Sequence, residues 1–316
     1  FFDNWEEKFI NHNIFIVIMF SKYERNPIIT PDCKLSHEKE CTYNPCAIVH
    51  NEKIYLIYRA EGQYGNYISN LCLATSEDGY NFTKYKKNPI IKPTKPEEKR
   101  GCEDPRISKI GDTFYLTYTA YEICDKKKGN KISLSLATSK DLIHWKKHGI
   151  ILNDIKSGYI YPEKIDNEYL MFIGDSNIWI ARSKNLKDWK LDQIPFLKPR
   201  KNFFDSKLVE VGQPLIEIKD KLIMIYNSAN NDLIYSPSFL VLDKKNPTKI
   251  LYRYNKPILV PDEQFELFGK VNNVIFAEGL VKFKKIYFLY YGGADKCIGV
   301  ATITQNEIEK NFLPTF

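Results

Sequence analysis

The stretch Ile54–Ala60, which reads IYLIYRA, decides the fold because the chain repeats its pattern four more times. Each copy is rich in apolar and aromatic residues and follows a short polar turn, which is the pattern of a β-hairpin strand. The other copies are Phe114–Ala120 (FYLTYTA), Glu168–Gly174 (EYLMFIG), Lys221–Asn227 (KLIMIYN) and Ile286–Gly292 (IYFLYYG). They begin 53 to 65 residues apart, so each repeat has room for several strands.

A second pattern follows three of these strands and places an aromatic residue eight positions after an alanine. The pairs are Ala74 and Phe82, Ala137 and Trp145, and Ala181 and Trp189. Repeats of this length, built from strands and tight turns without a long helix, are typical of a β-propeller. Five copies therefore predict an all-β, five-bladed β-propeller. The last strand, near Gly299–Thr304, is expected to complete a blade with N-terminal residues, which would hide the sheet edges.

The composition fits one globular domain. Hydrophobic residues form 43% of the 316 residues and charged residues 27%. No linker-like stretch divides the chain, so we predict an N-terminal arm or strand over 1–25 and a single propeller catalytic domain over 26–316. The apolar run Ile14–Phe20 is too short to span a bilayer, and no membrane partner is expected.

Charge and cysteine usage narrow the expected partners. The net charge is +7, but the lysines are scattered over turns rather than gathered in a stripe, so no nucleic-acid partner is expected. Seven cysteines without a CxxC pair predict free thiols in a reducing compartment, and hence a cytoplasmic location. No metal-ligand spacing is visible, so neither a metal nor another cofactor is predicted. The oligomeric state stays open, and a homo-oligomer is compatible with the sequence.

Carboxylates recur just before the repeated hairpins, where the first strand of each propeller blade lines the central channel. Those positions hold Tyr43-Asn44-Pro45, Glu103-Asp104-Pro105-Arg106, Tyr161-Pro162-Glu163-Lys164, Glu210-Val211-Gly212 and Glu278-Gly279. Glycoside cleavage needs two carboxyl groups across a cavity, one protonated for the leaving oxygen and one ionised to activate water. These strands are therefore the candidate active site. Salt bridges within Glu103–Arg106 or between Glu163 and Lys164 are the structural alternatives.

These residues resemble the motifs of glycoside hydrolase family 130, whose members are five-bladed propellers that act on β-mannosides. The matching segments are Asn44-Pro45, Tyr58-Arg59-Ala60, Gly101-Cys102-Glu103-Asp104-Pro105-Arg106, Tyr118-Thr119-Ala120, Pro162-Glu163-Lys164, Tyr290-Tyr291-Gly292 and Ala294-Asp295. They are collinear and cover the chain from about Asn26 to Thr304.

The resemblance implies a role for each matched residue. Asp104 would be the general acid of an inverting reaction, with its proton passing directly or through a sugar hydroxyl. Glu210 and Glu278 are the two candidates for the base. The residues implied to hold the terminal mannose are Asn44, Arg59, Asp175 and Asp295. The further substrate-binding candidates are Glu103, Arg106, Lys164 and Asn227.

The family contains both phosphorylases and hydrolases, and the resemblance favours the hydrolases. Phosphorylases are expected to hold phosphate with basic side chains, but this chain has Gly174-Asp175 and Asn227 at two such positions. Glu210 and Glu278 would repel phosphate, whereas a water nucleophile needs a carboxylate base. The sequence therefore predicts a hydrolase that releases mannose from β-mannoside oligosaccharides, with β-1,2 linkages favoured. The alternatives are a phosphate-dependent mannoside phosphorylase, with Lys207 and Arg106 at the phosphate, and a non-catalytic sugar-binding propeller.

Overall fold

The computed structural model describes residues 20–62, 68–123, 129–212 and 214–311. Within these ranges the chain is nearly all β, and every predicted hairpin strand coincides with an observed strand, apart from Gly174 at the end of one. Blade 1 contains β2 (Cys41–His50), β3 (Lys53–Glu61), β4 (Ser69–Ser76) and β5 (Thr83–Lys84). Blade 2 contains β6 (Gly101–Ile110), β7 (Thr113–Glu122), β8 (Lys131–Ser139) and β9 (Lys146–Asn153), and a 3₁₀ turn (Pro96–Glu98) precedes it.

The remaining three blades follow in chain order. Blade 3 contains β10 (Gly158–Ile165), β11 (Glu168–Ile173), β12 (Trp179–Ser183) and β13 (Lys190–Leu191). Blade 4 contains β14 (Leu208–Val211), β15 (Ile216–Ile218), β16 (Lys221–Ala229), β17 (Tyr235–Asp243) and β18 (Ile250–Arg253). Helix α1 (Gln264–Leu267) leads into blade 5, with β19 (Ile275–Phe283), β20 (Ile286–Gly293) and β21 (Cys297–Thr304), and helix α2 (Gln305–Asn311) follows.

The N-terminal strand β1 (Ser21–Lys22) completes blade 5, as the sequence predicts. It pairs antiparallel with β21, with Ser21 opposite Thr302 and Lys22 opposite Ala301. Residues 1–19, which include most of the predicted arm and of the run Ile14–Phe20, lie outside the described residues. No helix among the described residues is long and apolar enough to cross a bilayer. The six described cysteines are free thiols.

Five apolar clusters hold the ring together, one between each neighbouring pair of blades. They join blade 1 to 2, 2 to 3, 3 to 4, 4 to 5, and 5 back to 1. The closing cluster packs Leu56 and Tyr58 of blade 1 against Phe288 and Tyr290 of blade 5. Because β-strand side chains alternate between two faces, every sheet can bury apolar residues against both neighbours. The chain therefore forms a closed propeller of five blades.

Four blades also share a buried polar trio, made of an acid before the first strand, a tyrosine hydroxyl and a cation near the outer edge. In blade 2, Tyr118 donates to Glu98 at 2.7 Å and Lys147 binds the other oxygen at 2.6 Å. The other trios are Glu38–Tyr58–Lys84, Asp205–Tyr226–Arg253 and Glu266–Tyr291–Lys22. The last one includes the N-terminal strand. In blade 3 the second strand carries Phe172, which has no hydroxyl, and the cation Lys156 precedes the first strand.

Candidate active site

A cavity of about 140 Å³ opens at the ends of the inner strands, and its wall is mostly polar. Its lining residues are Asn44, Arg59, Asp104, Lys156, Glu210, Tyr235, Val271, Val274, Phe276 and Asp295. Five of them were predicted from the sequence, and they come from blades 1, 2, 4 and 5. The cavity therefore collects carboxylates and cations from separate blades at one place.

Asn44 and Asp104 occupy matching positions in blades 1 and 2. Each lies at a bulge in the first strand of its blade, has a φ of 47°, and precedes a proline. Asparagine and aspartate adopt this left-handed conformation more readily than other non-glycine residues. The bulge turns both side chains towards each other, and the Asn44 amide donates to Asp104 Oδ1 at 2.9 Å. Local backbone strain thus presents the predicted acid to the cavity.

Arg59 joins the cavity to a buried acidic cluster behind it. Its guanidinium donates to Asp104 Oδ1 at 3.1 Å, to Glu103 Oε1 at 2.7 Å and to Glu61 Oε1 at 2.8 Å. Glu103 does not line the cavity, so its contact with a substrate would be indirect, through Arg59. The planar donor fork of arginine suits this task because it can fix several carboxylates at once.

Lys156 is the main cavity residue that the sequence reasoning missed. Its ammonium lies 3.6 Å from Asp104 Oδ2 and 3.3 Å from Glu210 Oε1, so it contacts both predicted catalytic carboxylates. Burial lowers its pKa, but the charges of Glu210 and Asp104 outweigh burial and raise the pKa above its usual value. The neighbouring Ser157 hydroxyl also binds Glu210 Oε1. The feature of the sequence that could have identified Lys156 is its position, two residues before the strand that begins at Gly158.

The carboxyl groups of the cavity differ in their protonation. Burial raises the pKa of Asp104, but Arg59 and Lys156 outweigh it and hold the pKa below its usual range. Burial raises the pKa of Glu210 above its usual value, and Lys156 only partly opposes it. Burial also raises the pKa of Asp295 to about 6. The cavity thus has an ionised Asp104 beside two carboxyl groups that retain protons more easily.

Glu278 and Arg106 lie behind the cavity rather than in its wall. Their side chains are essentially buried, and Arg106 Nη1 contacts Glu278 Oε1 at 2.6 Å. Arg106 also donates to the backbone oxygens of Asp104 and Val211, at 3.0 and 2.6 Å. Its Nη2 lies 3.9 Å from Glu210. Arg106 therefore links three blades, and Glu278 would act on the cavity through Arg106.

Three other predicted binding residues lie outside the cavity wall. Asp175 is half-buried, and its charge acts on Lys156 and Glu210. Asn227 is buried between blades 4 and 5, where its side chain both donates to and accepts from the Ala277 backbone, at 2.9 and 2.8 Å.

The third, Lys164, is exposed, and its ammonium lies 5.1 Å from the Tyr169 ring. Its predicted position in the funnel is wrong for a geometric reason. Lys164 lies two residues before the hairpin turn at Asp166, at the opposite end of β10 from the cavity. Glu163 is exposed there too. In blade 3 the cavity residue is Lys156, before the strand begins.

An apolar wall faces the charged groups. Tyr235 and Phe276 form an aromatic pair with ring centroids 6.3 Å apart, and Val271 and Val274 lie beside them in the lining. Aromatic rings offer a flat apolar surface with, in tyrosine, a polar edge. Such a wall can cover the apolar face of a sugar ring while the charged groups bind its hydroxyls.

One group of potential metal ligands occurs among the described residues. His37, Glu38 and Cys72 in blade 1 place their ligand atoms within 4.8 Å of one another. Glu38 already binds the Tyr58 hydroxyl at 2.8 Å and the Lys84 ammonium. Glu38 is thus already paired with a cation, and none of these residues lines the cavity.

Comparison with known proteins decides the family. A family model of glycoside hydrolase family 130, described as β-1,4-mannooligosaccharide phosphorylase, matches residues 21–312. The chain belongs to glycoside hydrolase family 130. The match spans all five blades, and the Glu103–Arg106 motif that suggested the family lies at the cavity.

Two curated relatives of this family 130 protein are phosphorylases from Thermoanaerobacter sp. strain X514. The 1,2-β-oligomannan phosphorylase is 36% identical over 93% of this chain and 100% of its own length. The β-1,2-mannobiose phosphorylase is 33% identical over 92% of this chain and 98% of its own length. These names favour the phosphorylase alternative of the sequence analysis over its hydrolase prediction.

A solved structure from the same family superposes with a TM-score of 0.83 and 29% identity, covering 91% of this chain and 94% of that one. It comes from a study whose subject is that this family of mannoside phosphorylases contains glycoside hydrolases targeting β-1,2-mannosidic linkages in Candida mannan. Likeness to this structure confirms the propeller fold of this family 130 protein. Relatives of this fold thus include both kinds of enzyme.

Proposed function

We propose that this protein cleaves β-1,2-mannosides and transfers the released mannosyl group to inorganic phosphate. The observation that carries the proposal is Lys156, whose ammonium lies in the cavity wall between Asp104 and Glu210. An ammonium binds phosphate as a point charge. The β-1,2 linkage and the phosphate acceptor are also those in the names of the two Thermoanaerobacter relatives.

The sequence analysis expects Glu210 and Glu278 to repel phosphate, but in the structure each glutamate has a cationic partner. Glu278 contacts Arg106 at 2.6 Å, and Glu210 contacts Lys156 at 3.3 Å. Burial also raises the pKa of both glutamates above the usual value. A buried carboxyl group that retains its proton repels an anion less than an exposed carboxylate does. The cavity therefore repels phosphate less strongly than its number of acidic residues suggests.

The rest of the cavity fits a terminal mannose. Asn44 and Arg59 supply donors beside Asp104, and Asp295 supplies an acceptor for sugar hydroxyls. Phe276 and Tyr235 offer the apolar surface for the ring face. Asp104, as general acid, would assist departure of the leaving sugar, and the inverting course implied by the family stays a prediction.

Hydrolysis is the second candidate, and the position of Glu210 favours it. Glu210 lines the cavity, where its carboxylate could accept a proton from an attacking water. Phosphate needs no such base, since the anion is itself a nucleophile. The solved relative from the study of β-1,2-mannoside hydrolases lends support to this candidate.

The first test is to identify the product of cleavage. We expect β-1,2-mannobiose to give mannose 1-phosphate in the presence of phosphate and to react slowly without it. The Lys156→Met variant should raise the KM for phosphate by at least about tenfold, since it removes a charged donor. Lys164→Met is the matched control, because this exposed lysine lies far from the cavity, and it should leave that KM unchanged. Phosphate-independent release of free mannose at an undiminished rate would instead establish hydrolysis.

Mannose binding should weaken as the pH falls through about 6, the pKa to which burial raises Asp295. Above this pH the ionised Asp295 accepts hydrogen bonds from sugar hydroxyls, and protonation below it replaces one acceptor with a donor. Calorimetric titration of mannose into the protein, from well above to well below this pH, measures the effect. Asp295→Asn should bind more weakly and flatten the profile between these limits. A wild-type affinity that is constant across the range would contradict this role.

A further inference from the structure

Glu61, at the end of β3, is a buried acid that neither the predicted roles nor the cavity lining includes. Its Oε1 accepts hydrogen bonds from the Tyr43 hydroxyl at 2.7 Å, from Arg59 Nη2 at 2.8 Å and from the Ser69 hydroxyl at 2.9 Å. Its Oε2 accepts from Lys270 Nζ at 2.7 Å. Both oxygens are thus occupied, and the residue joins blade 1 to a segment more than 200 positions away in the chain.

Lys270 belongs to the segment 268–274, which connects α1 to β19 and forms part of the cavity wall. Its direct neighbour Val271 and the later Val274 both line the cavity. The Val271 amide donates to the Ala294 carbonyl at 3.2 Å, next to Asp295. The Lys270 ammonium also lies 3.3 Å from the Tyr43 hydroxyl. The Glu61–Lys270 pair therefore ties the apolar wall of the cavity to its charged wall.

We propose that Glu61 is a positioning residue and that its ion pair with Lys270 is a latch that fixes the 268–274 segment and Arg59 around the bound mannoside. The function of this latch rests on the proposed cleavage of mannosides. Glu61 reaches the reacting groups through Arg59, which donates to Asp104 Oδ1 at 3.1 Å. It reaches the apolar wall through Lys270.

The electrostatics support a persistent pair. Burial raises the pKa of Glu61, but Arg59 and Lys270 outweigh it and lower the pKa to about 2. Glu61 is therefore ionised at every pH well above this value. The Lys270 side chain is only 17% exposed and Glu61 only 2%, so solvent screens the pair weakly. A latch of this kind holds its geometry without depending on pH.

The two partners should differ in their kinetic effects. Lys270→Met frees the 268–274 segment but leaves Arg59 its contact with Glu61, so the KM for mannobiose should rise with little change in kcat. A rise of about tenfold corresponds to the loss of one charge-assisted hydrogen bond. Glu61→Gln also loosens Arg59, so kcat should fall as well as KM rise. Lys270→Arg retains the charge and should restore most of the affinity.

The matched control is Lys147→Met, which breaks another buried lysine–glutamate pair with a tyrosine partner. Lys147 binds Glu98 at 2.6 Å near the outer edge of blade 2, away from the cavity lining. Lys147→Met should lower the thermal midpoint, as Lys270→Met should, while the KM for mannobiose stays unchanged. A purely structural role for Lys270 predicts that the two variants behave alike, and such a result would overturn the latch.

Hydrogen–deuterium exchange tests the latch without any substrate. The amides of the 268–274 segment, including Val271 and Val274, should exchange faster in Lys270→Met and Glu61→Gln but not in Lys147→Met. Unchanged exchange in both variants would overturn the proposal. A wild-type protein that cleaves no mannobiose would overturn the proposed function instead, and the exchange result would still decide whether the pair fixes this segment.

Discussion

The Asp104→Asn variant is expected to lose about 10²- to 10⁴-fold in kcat while it folds normally, since that is what general acid catalysis contributes. Asparagine keeps the shape of the side chain and tolerates the φ of 47° at this position, whereas alanine would be strained. It also keeps an oxygen for the hydrogen bonds from Asn44 and Arg59. What it removes is the transferable proton.

The surroundings of Asp104 make this prediction informative. Burial raises the pKa of Asp104, but Arg59 and Lys156 outweigh burial and hold this pKa below its usual range, so the group is ionised at neutral pH. A general acid must hold a proton when the bond breaks. We infer that Asp104 takes up a proton when the substrate binds and gives it to a sugar hydroxyl, which passes its own proton to the leaving oxygen, so that Asp104 ends as a carboxylate. Mannosides with an activated leaving group, such as 4-nitrophenolate, should therefore suffer less from Asp104→Asn than mannobiose.

The matched control is Asp192→Asn. Asp192 forms a partly exposed pair with Arg182 at 3.3 Å on the outside of blade 3, so its loss should leave kcat unchanged. The measurements are kcat on mannobiose, which reports the loss of catalysis, and a thermal unfolding curve for each variant, which shows that it is folded. Near-normal turnover of mannobiose by a folded Asp104→Asn protein would remove Asp104 from the mechanism.

Glu210→Gln and Glu278→Gln are each expected to lower kcat by about 10- to 100-fold, because each weakens a charge-assisted contact with Lys156 or Arg106, and the double variant should be little worse than the poorer single one. Glu210 acts in the cavity, where it holds Lys156 and Ser157. Glu278 acts from behind, through Arg106, whose two nitrogens contact both glutamates at 2.6 and 3.9 Å. Groups linked through one guanidinium lose activity as a unit rather than independently.

The measurement is kcat for the three variants on β-1,2-mannobiose, with and without phosphate. The control is Glu163→Gln, at an exposed position, and it should leave kcat unchanged. Retained phosphorolysis with lost hydrolysis in Glu210→Gln would assign this carboxylate to water activation. A silent Glu278→Gln would limit Glu278 to pairing with Arg106. Losses that multiply in the double variant would contradict the linked pair.

The fold could be predicted from the sequence because its signals are local and repeated. The strand pattern and turn chemistry of Ile54–Ala60 occur in five copies, and each copy lies in the strand that pairs with the innermost strand of its blade. Closure through β1 also followed from the pattern, since an unpaired β21 would leave an open edge. The polar trios could not be predicted because their members are up to 49 residues apart, as in Glu98 and Lys147, or lie near opposite ends of the chain, as in Lys22 and Glu266.

The site could be predicted only where the motif fixes the backbone. Asn44 and Asp104 each lie at a bulge before a proline, in equivalent strands of two blades, so their positions followed from the repeat. Lys164 was misplaced because the sequence shows which strand a residue joins but not which end of the strand reaches the cavity. Lys156 and Glu61 were missed because single charged residues resemble the many surface ones until their buried partners are known. Their partners come from other blades or from distant loops.

The polar trios near the outer edges of the blades are separate from the residues that line the cavity. Four blades have nearly the same acid, tyrosine and cation near their outer edge, while each presents a different side chain inward. Blade 3 has no such trio among its described residues and places Lys156 in the cavity wall instead. The frame is thus nearly the same from blade to blade, whereas the inner residues differ. A change of acceptor, from phosphate to water or the reverse, would need substitutions only in this inner set.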